Sequence, residues 1–96
     1  MSVLQVITLR LKAEAQPAVF AAANERIQRE VTPHMKGLIR RESGHNAEGH
    51  WVIVNLWADL ESAKLPPTAN AEIVKSAMSH VDMTSMTAHF YPLQNP

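Results

Sequence analysis

The sequence contains no cysteine. That absence removes disulfides, thiolate nucleophiles, iron–sulfur clusters and thiolate zinc sites together. It also lacks net charge: nine Lys and Arg balance nine Asp and Glu, with no run of like sign. A protein that grips phosphate backbones or an anionic bilayer carries a basic excess, so neither nucleic acid nor a membrane is expected as a partner. No stretch reaches the roughly 18 apolar residues of a membrane span. Residues Met1 to Gln5 show neither a basic segment nor the apolar core of an export signal, and a cytoplasmic protein is expected. Only three glycines are present, and none forms a phosphate-cradling loop.

What is present is hydrophobic periodicity. With 96 residues the chain is expected to form one domain over its whole length, residues 1–96. A domain of that size buries only about two-thirds of its unfolded surface, so association is a natural supplement to a modest core. Val3–Lys12 alternates with a period of two: Val3, Ile7, Leu9 and Leu11 face one way, and Leu4, Val6, Thr8 and Arg10 the other. Pro17 suits the first turn of a helix. Phe20, Ala23, Ile27 and Val31 then form one apolar stripe, and Pro33 ends the helix near Val31. Leu38–Ser43 reads as a more polar strand near an edge. Gly44–Gly49 marks a hairpin loop, and His50–Ala58 is the strongest strand. On it Val52, Val54, Leu56 and Ala58 make a smooth apolar face, and Trp51, Ile53, Asn55 and Trp57 make the other. Asp59 caps a short turn, Pro66-Pro67 interrupts it, and Thr68 opens a second helix with Ile73, Ala77, Met78 and Val81 as its stripe. Ser85–Leu93 completes the set as a strand with Thr87, His89 and Tyr91 on one side.

The order β-α-β-β-α-β predicts an α+β, ferredoxin-like subunit: a four-stranded antiparallel sheet with its helices on one face. The smooth strand faces are expected beneath the helices. The other face, carrying Leu4, Val6, Trp51, Ile53, Trp57 and Tyr91, is then too apolar to meet water. At about 25 cal/mol per Å² of apolar surface, covering it yields several kcal/mol. A second copy of the chain is the simplest cover, giving a homodimer or a larger assembly of itself.

Val52–Ala63, VIVNLWADLESA, together with the passage Thr32-Pro33 to Gly37-Leu38, resembles the ABM-like domains of the dimeric α+β barrel superfamily, named for antibiotic biosynthesis monooxygenases. The resemblance implies two sheets packed face to face in a homodimer, with a small pocket in each subunit. That family includes cofactor-free quinone-forming oxygenases, haem-degrading enzymes and isomerases, so the fold does not settle the function. The sequence departs from both better-defined groups. Where the quinone-forming oxygenases carry an Asn, one pleat turn before the Trp that Trp57 matches, this chain has Ile53, and its nearest Asn is Asn55. Where the haem-degrading enzymes carry an Asn, a Trp and a ligating His, it offers Thr8 or a neighbour, Pro67 and Met78, with His80 on another side of the helix. No cofactor is therefore expected.

The candidate site follows from the face judged to be uncovered. His89 is the candidate base, and Asn55 the amide that steadies a substrate oxygen. Trp57 and Trp51 are candidate aromatic walls, and Arg10, Tyr91 and Thr8 candidate substrate contacts. Each has a plainer reading: interface core for the indoles, a satisfied amide for Asn55, a hydrogen-bonded interface imidazole for His89, a solvated sheet end for Arg10. His45 and His50 flank the hairpin with Glu48 but lack a third nearby ligand, and no metal is expected. Two functional readings stand open. One is a cofactor-independent monooxygenase acting on a small aromatic or polycyclic compound, with isomerase as a lesser variant. The other is a non-catalytic homodimeric module that binds a small molecule or serves assembly.

Overall fold

Alternating hydrophobicity becomes four strands, and the two apolar stripes become helices laid on one side of them, except that Val81, expected in the second stripe, is the first residue of the last strand. The computed structural model describes residues 1–65 and 71–94. In chain order the elements are β1 (Val3–Leu11), α1 (Pro17–Glu30), a 3-10 turn (Thr32–His34), β2 (Leu38–His45), β3 (His50–Trp57), α2 (Leu60–Lys64), α3 (Ala71–Met78) and β4 (Val81–Pro92). The strands form one antiparallel sheet in the order β2-β3-β1-β4. This is the ferredoxin-like α+β arrangement read from the sequence. The expected break at Pro66-Pro67 and helix start at Thr68 lie outside the described residues.

Local chemistry explains most boundaries. Pro17 occupies the first turn of α1, and the helix closes at Glu30 ahead of Pro33. The Asp59 carboxylate caps α2 by accepting the Ser62 N–H at 2.7 Å. That hydrogen bond holds its pKa below the ordinary carboxylate range, so the cap is intact at neutral pH and is lost as pH falls through the lowered value. β4 begins at Val81, four residues ahead of the expected start at Ser85. A bulge there lets β4 pass from Thr87, opposite Thr8, to Asp82, opposite Arg10.

One expectation about the faces is overturned. Trp51, Ile53 and Trp57 do not lie on the uncovered face; they lie beneath the helices, 6%, 9% and 3% exposed. Register enforces this. Val3 pairs with Trp57, Ile7 with Ile53 and Leu9 with Trp51, and directly opposed residues share a face. The inward face of β1 thus carries the indoles inward as well. Smoothness was a poor guide because the larger side chains gain more from burial: an indole removes some 150–250 Å² from water, far more than a valine. Trp51 meets Phe20 of α1 edge to face, with ring centroids 4.9 Å apart. Leu9, Phe20, Trp51, Ile53, Ala77 and Val81 form the core. Val52, Val54 and Leu56 are left on the open side with Leu4, Val6, Thr8, Arg10, Thr87, His89 and Tyr91.

Two features tie the layers together. Gly37 has φ +82°, and a Cβ there would fall 2.5 Å from Ser62 Cβ. Asn24 of α1, itself buried, clamps the helix to β2: its Oδ1 accepts from Arg41 at 2.6 Å, and its Nδ2 donates to Ser43 Oγ at 2.9 Å. Gly37→Ala is expected to cost about 2–4 kcal/mol, the sum of a left-handed backbone penalty and a steric clash. Asn24→Leu is expected to cost about 1.5–3 kcal/mol through the bond lost to a charged, buried partner. Urea midpoints measured at an unchanged m-value check both; a wild-type midpoint for either variant would remove that contact from the account of the fold.

Candidate functional site

The helix-covered side of the sheet carries a polar row through its apolar middle. Gln5 of β1, Asn55 of β3 and Arg41 of β2 stand in register across three strands. Gln5 Oε1 accepts from Asn55 Nδ2 at 3.1 Å and from Trp57 Nε1 at 2.8 Å. Trp57 sits in the neighbouring row, opposite Val3. Asn55 is 6% exposed, and its Oδ1 is buried with no hydrogen-bond partner among the described residues. A buried acceptor left unpaired costs about 1–3 kcal/mol. A ligand hydroxyl or N–H reaching that oxygen would recover it.

Arg41 is 8% exposed. Its guanidinium donates to Asn24 Oδ1 and, at 3.0 Å, to Gln28 Oε1. Both partners are neutral amides. The ion pairs among the described residues are Arg26–Glu30 and Arg40–Glu42, so Arg41 keeps its charge without a carboxylate. Burial pulls its pKa down from the ordinary arginine value, though a guanidinium that starts so high stays protonated. This places an uncompensated positive charge across the β2–β3 ladder from the unpaired Asn55 oxygen.

The open face has a different chemistry. His89 lies opposite Val6, and Tyr91 opposite Leu4. Their rings are tilted at 45° with centroids 6.4 Å apart. Thr8 and Thr87 share a short hydroxyl–hydroxyl hydrogen bond beside them. At the hairpin end of the sheet a cavity of about 520 Å³ is lined by Thr8, Leu9, Arg10, Gly44, His45, Asn46, His50, Trp51, Val52 and Ser85. His45 stacks on Trp51 there, with centroids 4.4 Å apart. No group of three or more His, Asp or Glu side chains able to hold a metal ion occurs among the described residues.

The structure therefore separates the seven candidates into three places. Asn55 and Trp57 come together through Gln5. Thr8, Arg10 and Trp51 border the hairpin-end cavity. His89 and Tyr91 sit on the edge strand β4, on the open face. His89 and Asn55 do not meet, because the backbone of the sheet lies between them. A single pocket beside both Trp57 and His89 is excluded on the same ground. The sequence reading passed over Gln5, Asn24 and Arg41. Gln5 had a signal: it is the polar member of the inward set Val3, Ile7 and Leu9 on a strand whose inward positions are otherwise aliphatic. Asn24 and Arg41 had none, since α1 and β2 meet only through tertiary packing.

No family model matches the sequence, and no curated protein matches it either. Solved structures do. SnoaB, a cofactor-independent oxygenase from Streptomyces nogalater, matches with a TM-score of 0.78 at 12% identity, over 99% of this chain and 95% of its own. A protein described as an antibiotic biosynthesis monooxygenase matches at 0.73 with 14% identity, over 95% and 97%. A protein of unknown function from Nitrosomonas europaea matches at 0.77 with 13% identity, over 99% and 91%. Identities this low speak to architecture alone. Over nearly its whole length the chain has the fold of the antibiotic biosynthesis monooxygenase domain proteins.

Proposed function

We propose that this chain is a homodimeric, cofactor-independent oxygenase-type protein that holds a small aromatic or polycyclic substrate against the Asn55, Gln5 and Trp57 band. The observation that carries the reading is the buried, unpaired Asn55 Oδ1. It is an acceptor fixed in place by its own amide N–H, with no group among the described residues to satisfy it, in a fold shared with a cofactor-independent oxygenase. A phenolic hydroxyl of the substrate donates to this oxygen. The Trp57 indole supplies an apolar wall, and the Arg41 charge favours an anion forming nearby. An activated ring CH₂ that gives up its proton to solvent as it becomes an enolate, and regains one at the peroxide stage, can pass one electron to dioxygen. Recombination forms a C–O bond, and loss of water leaves a quinone carbonyl. The substrate supplies the electrons, so the stoichiometry closes on one dioxygen taken up and one water released.

A second reading is favoured by one specific observation. His89, the expected base, stands on the opposite side of the sheet from Asn55. A module that binds the same class of compound without turning it over fits that separation. The two readings part on oxygen consumption with an anthrone or a hydroquinone. For the oxygenase, Asn55→Leu is expected to lower turnover about 100-fold, and His89→Ala to leave it within about twofold. Saturable binding without oxygen uptake selects the second reading. Turnover that survives Asn55→Leu unchanged would overturn the placement of the site.

The homodimer is part of the proposal. Leu4, Val6, Val54 and Leu56 line the open face, with Val52 38% and Tyr91 51% exposed. Arg40 and Glu42 pair at 2.7 Å along β2 on the same side, so its border carries no net charge to repel an identical surface. Face-to-face packing of two such sheets is the arrangement that buries all of these side chains at once. Val54→Lys is expected to convert a dimer into a monomer in sedimentation velocity at micromolar concentration. A wild-type chain that sediments as a monomer under those conditions would remove the dimer. Tryptophan quenching cannot report on this contact, because Trp51 and Trp57 are already buried within one chain.

A further inference from the structure

The hairpin-end cavity is built from residues the proposed band does not use. Thr8 of β1, Val52 of β3 and Gly44 of β2 form one row across the sheet, and Arg10 and His50 form the next. All five belong to the open face. Gly44 makes the hollow: a Cβ at that position would meet no atom within 4 Å. Val52 supplies an apolar floor beside it. Ser85 of β4 closes one side, its hydroxyl accepting the Arg10 N–H at 2.9 Å. The volume of this open recess, about 520 Å³, falls in the range of small-molecule sites, about 300–1,000 Å³.

Charge makes the cavity selective. Arg10 makes no ion pair within 4.0 Å among the described residues. The acidic group across the ladder from it is Asp82. Its Oδ1 accepts from the Thr84 hydroxyl and N–H at 2.7 and 3.1 Å, and it feels the Arg10 charge without forming an ion pair with it. Arg10 thus borders the recess with its fork of donors uncommitted to a carboxylate, next to the His50 imidazole and above an apolar floor. A guanidinium recognises a carboxylate in a bidentate manner more strongly than any neutral group of the same shape.

We propose that this recess binds a small organic carboxylate carried on a flat apolar body, with the carboxylate on Arg10 and His50 and the body over Gly44 and Val52. The site is separate from the Asn55 band, on the other side of the sheet, and is made by one chain. A second sheet laid on the open face would roof it.

The test is a titration of the full chain with benzoate and with naphthoate, against neutral benzamide, followed by two-dimensional amide NMR. Saturable shifts centred on Thr8, Gly44, His50 and Val52 are expected for both carboxylates. Benzamide is expected to bind at least about tenfold more weakly, and Arg10→Gln to weaken benzoate by a similar factor. Gly44→Leu fills the hollow and is expected to abolish saturable binding of both carboxylates, with the dispersion of the amide spectrum showing that the variant folds. Three results would overturn the proposal: benzamide binding as tightly as benzoate; no saturable shift with either carboxylate; or a Gly44→Leu chain that binds as wild type. A fourth, shifts centred on Asn55 and Trp57, would assign the carboxylate to the band instead. Since this readout involves no turnover, its failure leaves the oxygenase reading standing, and loss of that reading leaves this one.

Discussion

The pairing of β3 against β1 is the constraint from which the rest of the molecule follows. Val3 opposite Trp57 and Leu9 opposite Trp51 send both indoles beneath the helices. With a period of two, those pairs also send Val52, Val54 and Leu56 to the open side. A slip of one residue would exchange the two faces completely: it would bring three aliphatic side chains under α1 and leave two indoles in water. The edge-to-face contact of Trp51 with Phe20 and the Gln5 oxygen waiting for the Trp57 N–H fit only the observed register.

The sheet then acts as a partition between two chemistries. Beneath the helices, amide groups and one guanidinium are buried. The Gln5, Asn55 and Arg41 row is costly there: one acceptor has no partner and one charge has no counter-charge. Such costs persist in folded proteins where the groups serve something beyond the fold. On the open side hydroxyls, imidazoles and the charged Arg10, Asp82, Arg40 and Glu42 surround an aliphatic strip, the composition of a surface that another surface or a ligand completes. The functional proposals for the two sides rest on separate residues because the backbone of four strands stands between them.

The departures from the quinone-forming oxygenases take on a structural meaning in this frame. Ile53, at the place where those enzymes carry an Asn, is a core residue packed with Leu9 and Phe20. The amide lies one step along the same face, at Asn55, where Gln5 and Trp57 hold it. Any substrate held by Asn55 is therefore gripped nearer the Trp57 end of β3 than one held at the Ile53 position would be.

The order of elements, the four strands, the helix start at Pro17 and the Asp59 cap were legible in the sequence, because each depends on neighbours a few residues away. Alternation also divided β1, β3 and β4 into two sets, and for β1 and β4 it assigned the sets to their sides. It could not say which set of β3 turns toward the helices, since a strand apolar on both faces offers no local preference. Only pairing with β1 and the volume beneath α1 decided that, and with it the separation of Asn55 from His89. The Asn24–Arg41 clamp was likewise invisible, because 17 residues of chain lie between the partners and nothing local to either records the other. Periodicity is a property of the chain; the meeting of distant polar groups is a property of how the layers stack.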